Sequence, residues 1–228
     1  MASPIERKKC EASAGVAEAE HFFLSHGITD RAMLPSLSPT RFARMTSGLP
    51  DVSRHVADGD TLRWGRDWLA LETNGHAEGH LCLYSAADSL LISGDQVLPT
   101  ISSNIGFTWR SQDANPLGSF LSSLKRLHAL PRETLVLPSH GIPFRGLQSR
   151  IEDLSRHHVE QLENVQQACR SAKTALELLP VMFRRKLHGL HFFLAMAEAL
   201  AHLEYLVNDL RLRRATDSAG VIRYTAIG

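Results

Sequence analysis

Three strand-like runs each stop at a residue able to bind a metal, and that pattern constrains the chain more than any other feature. Asp67-Trp-Leu-Ala-Leu-Glu-Thr73 leads into Asn74-Gly-His-Ala-Glu-Gly-His80. Ser89-Leu-Leu-Ile-Ser93 leads into Gly94-Asp95, and Glu133-Thr-Leu-Val-Leu137 leads into Pro138-Ser-His-Gly141. Strand ends on one sheet edge lie close in space, so His76, Asp95 and His140 can converge there. Neutral imidazole suits zinc and its neighbours in the metal series, and a carboxylate can join it. Taken alone, the His76–His80 stretch has a plainer explanation: two half-buried histidines closing a glycine-bearing turn. The repetition of the pattern at three strand ends favours a metal site.

The ordered set Gly75-His76-x-x-Gly79-His80, Ser93-Gly94-Asp95 and Pro138-Ser139-His140-Gly141 resembles the metallo-β-lactamase superfamily. The likeness extends through Leu98-Pro-Thr-Ile101 and Asp113-Ala-Asn-Pro-Leu117, which resemble a bacterial branch of hydrolases with a C-terminal winged-helix tail. The resemblance implies that His76 is a ligand of a first metal, Asp95 bridges two metals, and His140 is a ligand of the second. It makes His80 a support for the turn. It further implies zinc or another divalent metal as cofactor, two ions per complete site, and hydrolysis of an ester, thioester or related bond in a small-molecule substrate. In that scheme the paired ions activate a bridging water and stabilise the developing oxyanion.

One departure is large. The family's His-x-His-x-Asp-His run, expected upstream of His76, has no counterpart here. The histidines before His76 are His21, His26 and His55, and none has that spacing. The chain therefore reads as a truncated, C-terminal part of such a hydrolase, impaired or inactive by itself. The expected fold is α+β: residues 1–148 form part of an αββα sandwich, and residues 149–228 form a long helix plus a small winged-helix-like domain. The alternative from another class is a non-catalytic binding or dimerisation module built on the same fold, and loss of the first strands predicts a poorly soluble chain or a homo-oligomer unless residues 11–45 cover the exposed sheet face.

The remaining chain supplies the scaffold. Residues 11–24 read as a helix, and residues 28–50 as a proline-rich loop with a short helix at 40–45. Asp58-Gly-Asp60 marks a turn before the strand pair. Residues 99–112 show no period and read as a loop near the site. Asn115 caps a helix with Pro116 at its first position. Leu117, Phe120, Leu121, Leu124 and Leu127 give that helix one apolar face. Another helix carries Ile151, Leu154, His158, Leu162, Val165 and Cys169 at three- and four-residue steps. Adjacent helical residues point about 100° apart, so His157 and His158 are poorly placed to chelate one ion, and His158 reads as a core histidine. The same reading covers His188, His191 and His202. Further on, residues 174–179 read as a short helix broken by Pro180, followed by a helix from Leu190 and then a hairpin of Leu210–Arg214 with Val221–Tyr224.

Composition narrows the partners. A formal net charge of +1 gives no general pull toward nucleic acid or membrane. From Val181 onward seven basic residues face four acidic ones, a small excess for a phosphate-reading surface, so nucleic acid is not expected. No apolar run approaches the roughly 20 residues of a membrane span, and no apolar segment follows the charged N-terminus. The three cysteines, Cys10, Cys82 and Cys169, are far apart and odd in number. They fit a reducing, cytoplasmic compartment without a disulfide framework.

Overall fold

The computed structural model describes residues 4–30, 54–111 and 113–228; the proposed short helix at 40–45 lies outside them. In chain order the elements are helix α1 (Pro4–Ser25), strands β1 (Thr61–Arg63), β2 (Asp67–Glu72), β3 (Leu81–Ser85) and β4 (Leu90–Gly94), and helix α2 (Pro116–His128). There follow β5 (Leu135–Pro138), α3 (Leu147–Ala168), α4 (Ala175–Met182), α5 (Gly189–Asn208) and the strands β6 (Leu212–Thr216) and β7 (Ile222–Ala226). They fall into two compact units. One holds the described residues within Val52–Gly106 and Gln112–Glu163; the other holds those within Met1–Asp51, Phe107–Ser111 and Asn164–Gly228.

The first unit contains a five-stranded mixed sheet in the order β1-β2-β3-β4-β5. β1, β2, β3 and β4 pair antiparallel in sequence, and β4 pairs parallel with β5. The parallel pair needs a crossover, and α2 lies in that connection. Because β2 and β4 both run opposite to β3, and β5 runs with β4, the C-terminal ends of β2, β4 and β5 share one sheet edge.

Strands β3, β4 and β5 bury one face. Cys82, Tyr84, Leu91 and Val136 alternate onto it and are buried. α2 adds buried Leu117, Phe120, Leu124 and Leu127 to the same unit's core, as its apolar spacing requires. The Asn115 side chain accepts from the Gly118 amide at 3.0 Å, so the expected cap and the proline at the first helical position are both present. α3 contributes buried Ile151, Leu154 and His158, and the His158 ring stands edge-on to Phe120 at 5.6 Å. The opposite sheet face carries Leu81, Leu83, Leu90, Ile92, Leu135 and Leu137, all partly exposed.

In the second unit, α1 starts at Pro4, seven residues earlier than the apolar pattern alone suggests. Phe22 and Phe23 make ring contacts with Trp109, and Phe22 also meets Phe107. α4 is closed at its start by a reciprocal capping box between Thr174 and Glu177. It differs from expectation at its other end, where it runs through Pro180 to Met182. Pro180 has no amide to donate, yet the helix continues two residues past it, and the Phe183 amide donates to the Leu179 carbonyl at 2.8 Å.

α5 corrects another expectation. It is a 20-residue helix long and apolar enough by length and composition to cross a membrane, although 67% of that stretch is buried within the protein. His202, read in the sequence as a core histidine, is buried in it, and so is Glu204. Glu204 is satisfied there. Its carboxylate accepts from Arg214 of β6 at 2.7 Å and from the Tyr224 hydroxyl of β7 at 3.1 Å. The β6–β7 hairpin is thereby tied to the helix it follows.

Candidate metal centre

Each candidate ligand sits where its strand runs out. His76 follows β2 in the turn 74–80, Asp95 follows β4, and His140 follows β5. The ladder between β4 and β5 shifts register between Ile92 and Gly94, and the Ser139 amide donates to the Gly94 carbonyl at 3.1 Å. Pairing stops one step past that irregularity, at Gly94 and Pro138, beside Asp95 and His140.

Two glycines make the edge possible. Gly75 has φ +103, and a Cβ added there would lie 2.5 Å from the Phe120 Cβ and 2.5 Å from the Pro116 carbonyl oxygen. The turn is therefore pressed against α2, with no room for a side chain. Gly94 has φ +53, and a Cβ there would lie 2.5 Å from His80 Nε2. The His80 ring fills the space that glycine leaves open. Its Nδ1 pairs with Thr73 Oγ1 at 2.7 Å. Burial is the largest influence on its basicity and holds it below the ordinary histidine value; the nearby His76 acts in the same direction. His80 thus stays neutral and braces the turn.

Asp95 lies between the two remaining histidines. His76 Nε2 is 3.3 Å from Asp95 Oδ2, and His140 Nε2 is 3.4 Å from Asp95 Oδ1. The His76 and Asp95 side chains are about one-quarter and one-third exposed (25% and 30%), whereas His140 is 67% exposed. His76 Nδ1 is 2.8 Å from the Asn104 carbonyl oxygen. A carbonyl can only accept, so Nδ1 donates to it, while the other ring nitrogen, Nε2, faces the Asp95 carboxylate. A metal-binding histidine commonly has its second nitrogen anchored in this way. The Ser139 hydroxyl donates to Asp95 Oδ1, and the buried Ser103 hydroxyl donates to the Asp95 backbone carbonyl. Ser139, Ser103 and Asn104 were given no role by sequence reasoning. Ser139 adjoins His140 within a quoted motif, but nothing in the spacing marks Asn104, which acts through its backbone.

The donors suit a divalent metal in kind, being imidazole nitrogens and a carboxylate. Their arrangement does not suit a single three-ligand ion. Asp95 turns a different oxygen to each histidine, and among the described residues no group of three or more His, Cys, Asp or Glu side chains is disposed to hold one metal. The residues fit instead as two imidazole–carboxylate pairs sharing one aspartate. Each pair supplies two ligands, fewer than the three protein ligands usual at a catalytic zinc. The cysteines do not enlarge the set. Cys82 and Cys169 are buried, and burial pushes both thiols up to about 11.

Comparison with known proteins places this geometry. A beta-lactamase domain protein from Burkholderia ambifaria superposes with a TM-score of 0.87 at 39% identity, over 94% of this chain and 63% of that one. A metallo-beta-lactamase family protein from Thermus thermophilus gives 0.80 at 30% identity, over 95% and 66%. Residues 162–227 match the family described as metallo-beta-lactamase-like, C-terminal domain. These matches support the metallo-beta-lactamase-like family. The probable metallo-hydrolase YqjP of Bacillus subtilis (strain 168) is 29% identical over 163 residues, 68% of this chain and 49% of that protein. The chain thus spans about half of this curated relative, and roughly two-thirds of the two solved ones. The mixed sheet with its helices is consistent with the metallo-beta-lactamase fold.

Proposed function

We propose that the chain carries part of the metal centre of a metal-dependent hydrolase acting on an ester, thioester or related bond, and that it hydrolyses little or nothing by itself. The observation that carries this reading is Asp95 between His76 and His140, one carboxylate oxygen toward each imidazole. His76, Asp95 and His140 would hold divalent metal, with zinc the first choice for two imidazoles and a carboxylate. A metal bound there would supply Lewis-acid polarisation of a carbonyl or phosphoryl oxygen and activation of water. The chain's own part is to orient donors. Asn104 fixes the His76 proton, Ser139 holds one Asp95 oxygen, and His80 braces the turn from behind. Two ligands for each ion are too few to hold it firmly, which is why weak zinc affinity and little turnover are expected.

The C-terminal pair of helices followed by the β6–β7 hairpin supports reading residues from about 174 onward as a winged-helix-like tail. Three of its seven basic residues pair with acids within the unit: Arg211 with Asp209, Arg214 with Glu204, and Arg223 with Asp217 and Glu177. That favours packing over nucleic-acid binding. A second reading, a dimerisation or binding module, is favoured by the partly exposed aliphatic row on β3, β4 and β5.

Ester and thioester hydrolysis by the purified chain, with zinc and then with chelator, tests the first reading against size-exclusion behaviour under the same conditions. Zinc-dependent turnover at ordinary enzymatic rates would overturn the claim of impairment. A stable dimer indifferent to chelator, with no zinc binding at all, would favour the module.

A further inference from the structure

The loops that follow Asp95 and His140 carry a feature that the metal reading does not use. Ile101 is 58% exposed and Ile142 is 75% exposed; with Leu210 of the other unit they are the most exposed large aliphatic side chains among the described residues. A single exposed aliphatic residue is ordinary and needs no explanation. These two differ because their loops touch and are pinned. Gly141 stands at φ +87, and a Cβ there would lie 2.6 Å from Pro99 Cγ, so the turn after His140 lies against the segment after Asp95. That turn, which carries Ile142 and the exposed Pro143, is closed by two backbone bonds between Val136 and Phe144, at 2.8 and 3.0 Å. The other loop is gripped by Arg150 of α3, which donates from Nε to the Leu98 carbonyl at 2.7 Å and from a terminal nitrogen to the Ile101 carbonyl at 2.9 Å. A planar guanidinium can hold two carbonyls of one loop at once. Both isoleucines are therefore fixed in water beside the candidate centre.

Formal charge is absent from the same two loops. Residues 96–106 and 138–144 contain no Lys, Arg, Asp or Glu. The next arginines along the chain, Arg145 and Arg150, donate to backbone carbonyls, of Glu133 and of Leu98 and Ile101. These loops thus present no guanidinium or ammonium of their own to a phosphate or carboxylate. An exposed apolar patch with a polar rim marks a binding surface, and here the polar groups at its border are Asp95, Ser139 and His140.

We propose that Ile101 and Ile142, with Pro99 and Pro143, form an apolar wall beside Asp95 and His140 that takes an uncharged aliphatic acyl group and selects neutral acyl esters or thioesters over anionic substrates. The wall rests on the proposed function only for the bond that is cut; its preference for an aliphatic chain exists without any metal. Because the loops are held before a ligand arrives, little ordering is needed when the chain lies down on them.

The test is methyl NMR of the full chain, labelled at the isoleucine δ1 carbons and free of metal. It is titrated with the N-acetylcysteamine thioesters of acetic, butanoic and hexanoic acid, and with hexyl phosphate. Ile101→Ser and Ile142→Ser assign the two methyl signals, and both replace exposed side chains. The hexanoyl thioester is expected to move both signals and to bind at least about tenfold more tightly than the acetyl one, since a fully buried methylene gives about fourfold and an open wall buries only part of each. The double variant is expected to lose this dependence on chain length, and hexyl phosphate to bind more weakly than the hexanoyl thioester. Equal affinity across the series, hexanoyl binding that leaves both signals unmoved, or hexyl phosphate binding as tightly as the thioester would overturn the proposal. So would movement of both signals with protein concentration alone, which would assign the wall to contact between copies of the chain. Zinc titration of wild type and His76→Ala separates this from the metal reading. Zinc binding lost in His76→Ala beside a flat thioester series keeps the metal centre and removes the wall; a graded series beside zinc binding that ignores His76→Ala removes the metal centre and leaves the wall.

Discussion

Replacing Gly75 by alanine tests whether the His76 turn is built against α2. Two costs follow from the geometry. The backbone stands at φ +103, where a residue with a Cβ is strained by roughly 1–2 kcal/mol. The added methyl would also lie 2.5 Å from the Phe120 Cβ and the Pro116 carbonyl oxygen, and 2.6 Å from the Phe120 amide nitrogen. These atoms belong to the first turns of a capped helix, whose Leu117 and Phe120 side chains are fully buried, so they cannot step aside locally. Overpacking of this kind costs about 1–3 kcal/mol. The sum is about 2–5 kcal/mol, enough to remove much of the stability of a domain this size. Because the chain has two compact units, one global melting curve would mix them. Native-state hydrogen exchange at the Cys82 and Leu91 amides reads the sheet-bearing unit by itself. A drop of about 2 kcal/mol or more in their opening free energy is expected, together with loss of any zinc binding through His76. A change below ~1 kcal/mol would mean that the turn does not press on α2, and the account of how His76 is placed would be wrong.

Two further outcomes concern the other unit. Tyr224→Phe removes the hydroxyl that donates to buried Glu204 at 3.1 Å; a bond to a charged group implies a loss of roughly 1.5–3 kcal/mol, read by hydrogen exchange at the α5 and β7 amides. An unchanged unit would show that Arg214 alone satisfies the carboxylate. His26 is buried, and desolvation lowers its pKa below 6.5, outweighing the Phe22 carbonyl and Glu204, which act in the opposite direction. Above the ordinary value both folded and unfolded chains carry it neutral, so its contribution is complete there. As pH falls from about 6.5 the unfolded chain takes up the proton first, and stability is lost until the folded pKa is passed. Exchange-derived stability of this unit from about pH 8 to 5 should fall on the acid side and flatten in His26→Gln. An equal slope in that variant would assign the loss to another group.

The sequence reports local geometry well and distant geometry poorly. The three strands ending at His76, Asp95 and His140 could be read because alternation and turn residues are local signals. Asn115 and Pro116 announced α2 for the same reason. What could not be read depends on contacts far apart in the chain. Nothing near Arg150 shows that it grips Leu98 and Ile101, and the position of Asn104 beside His76 is a backbone matter that any residue type could satisfy. The burial of Glu204 could not be read because its partners, Arg214 and Tyr224, lie 10 and 20 residues further on. Pro180 was read as a break because proline removes an amide and crowds the carbonyl four residues back, yet α4 runs two residues beyond it. The shared sheet edge was expected from the repetition of the pattern; the strand order, with β2, β4 and β5 running the same way, is what supplies it.

The most direct test of the central claim is a zinc titration of the purified chain beside His76→Ala and His140→Ala. The account predicts binding weaker than about micromolar, reduced further in both variants, since each ion would find only two ligands among these residues. Micromolar or tighter binding that vanishes in the variants would contradict it, because His76, Asp95 and His140 would then form a complete site on their own. Weak binding unaltered by either substitution would also contradict it, since the three residues would then hold no metal.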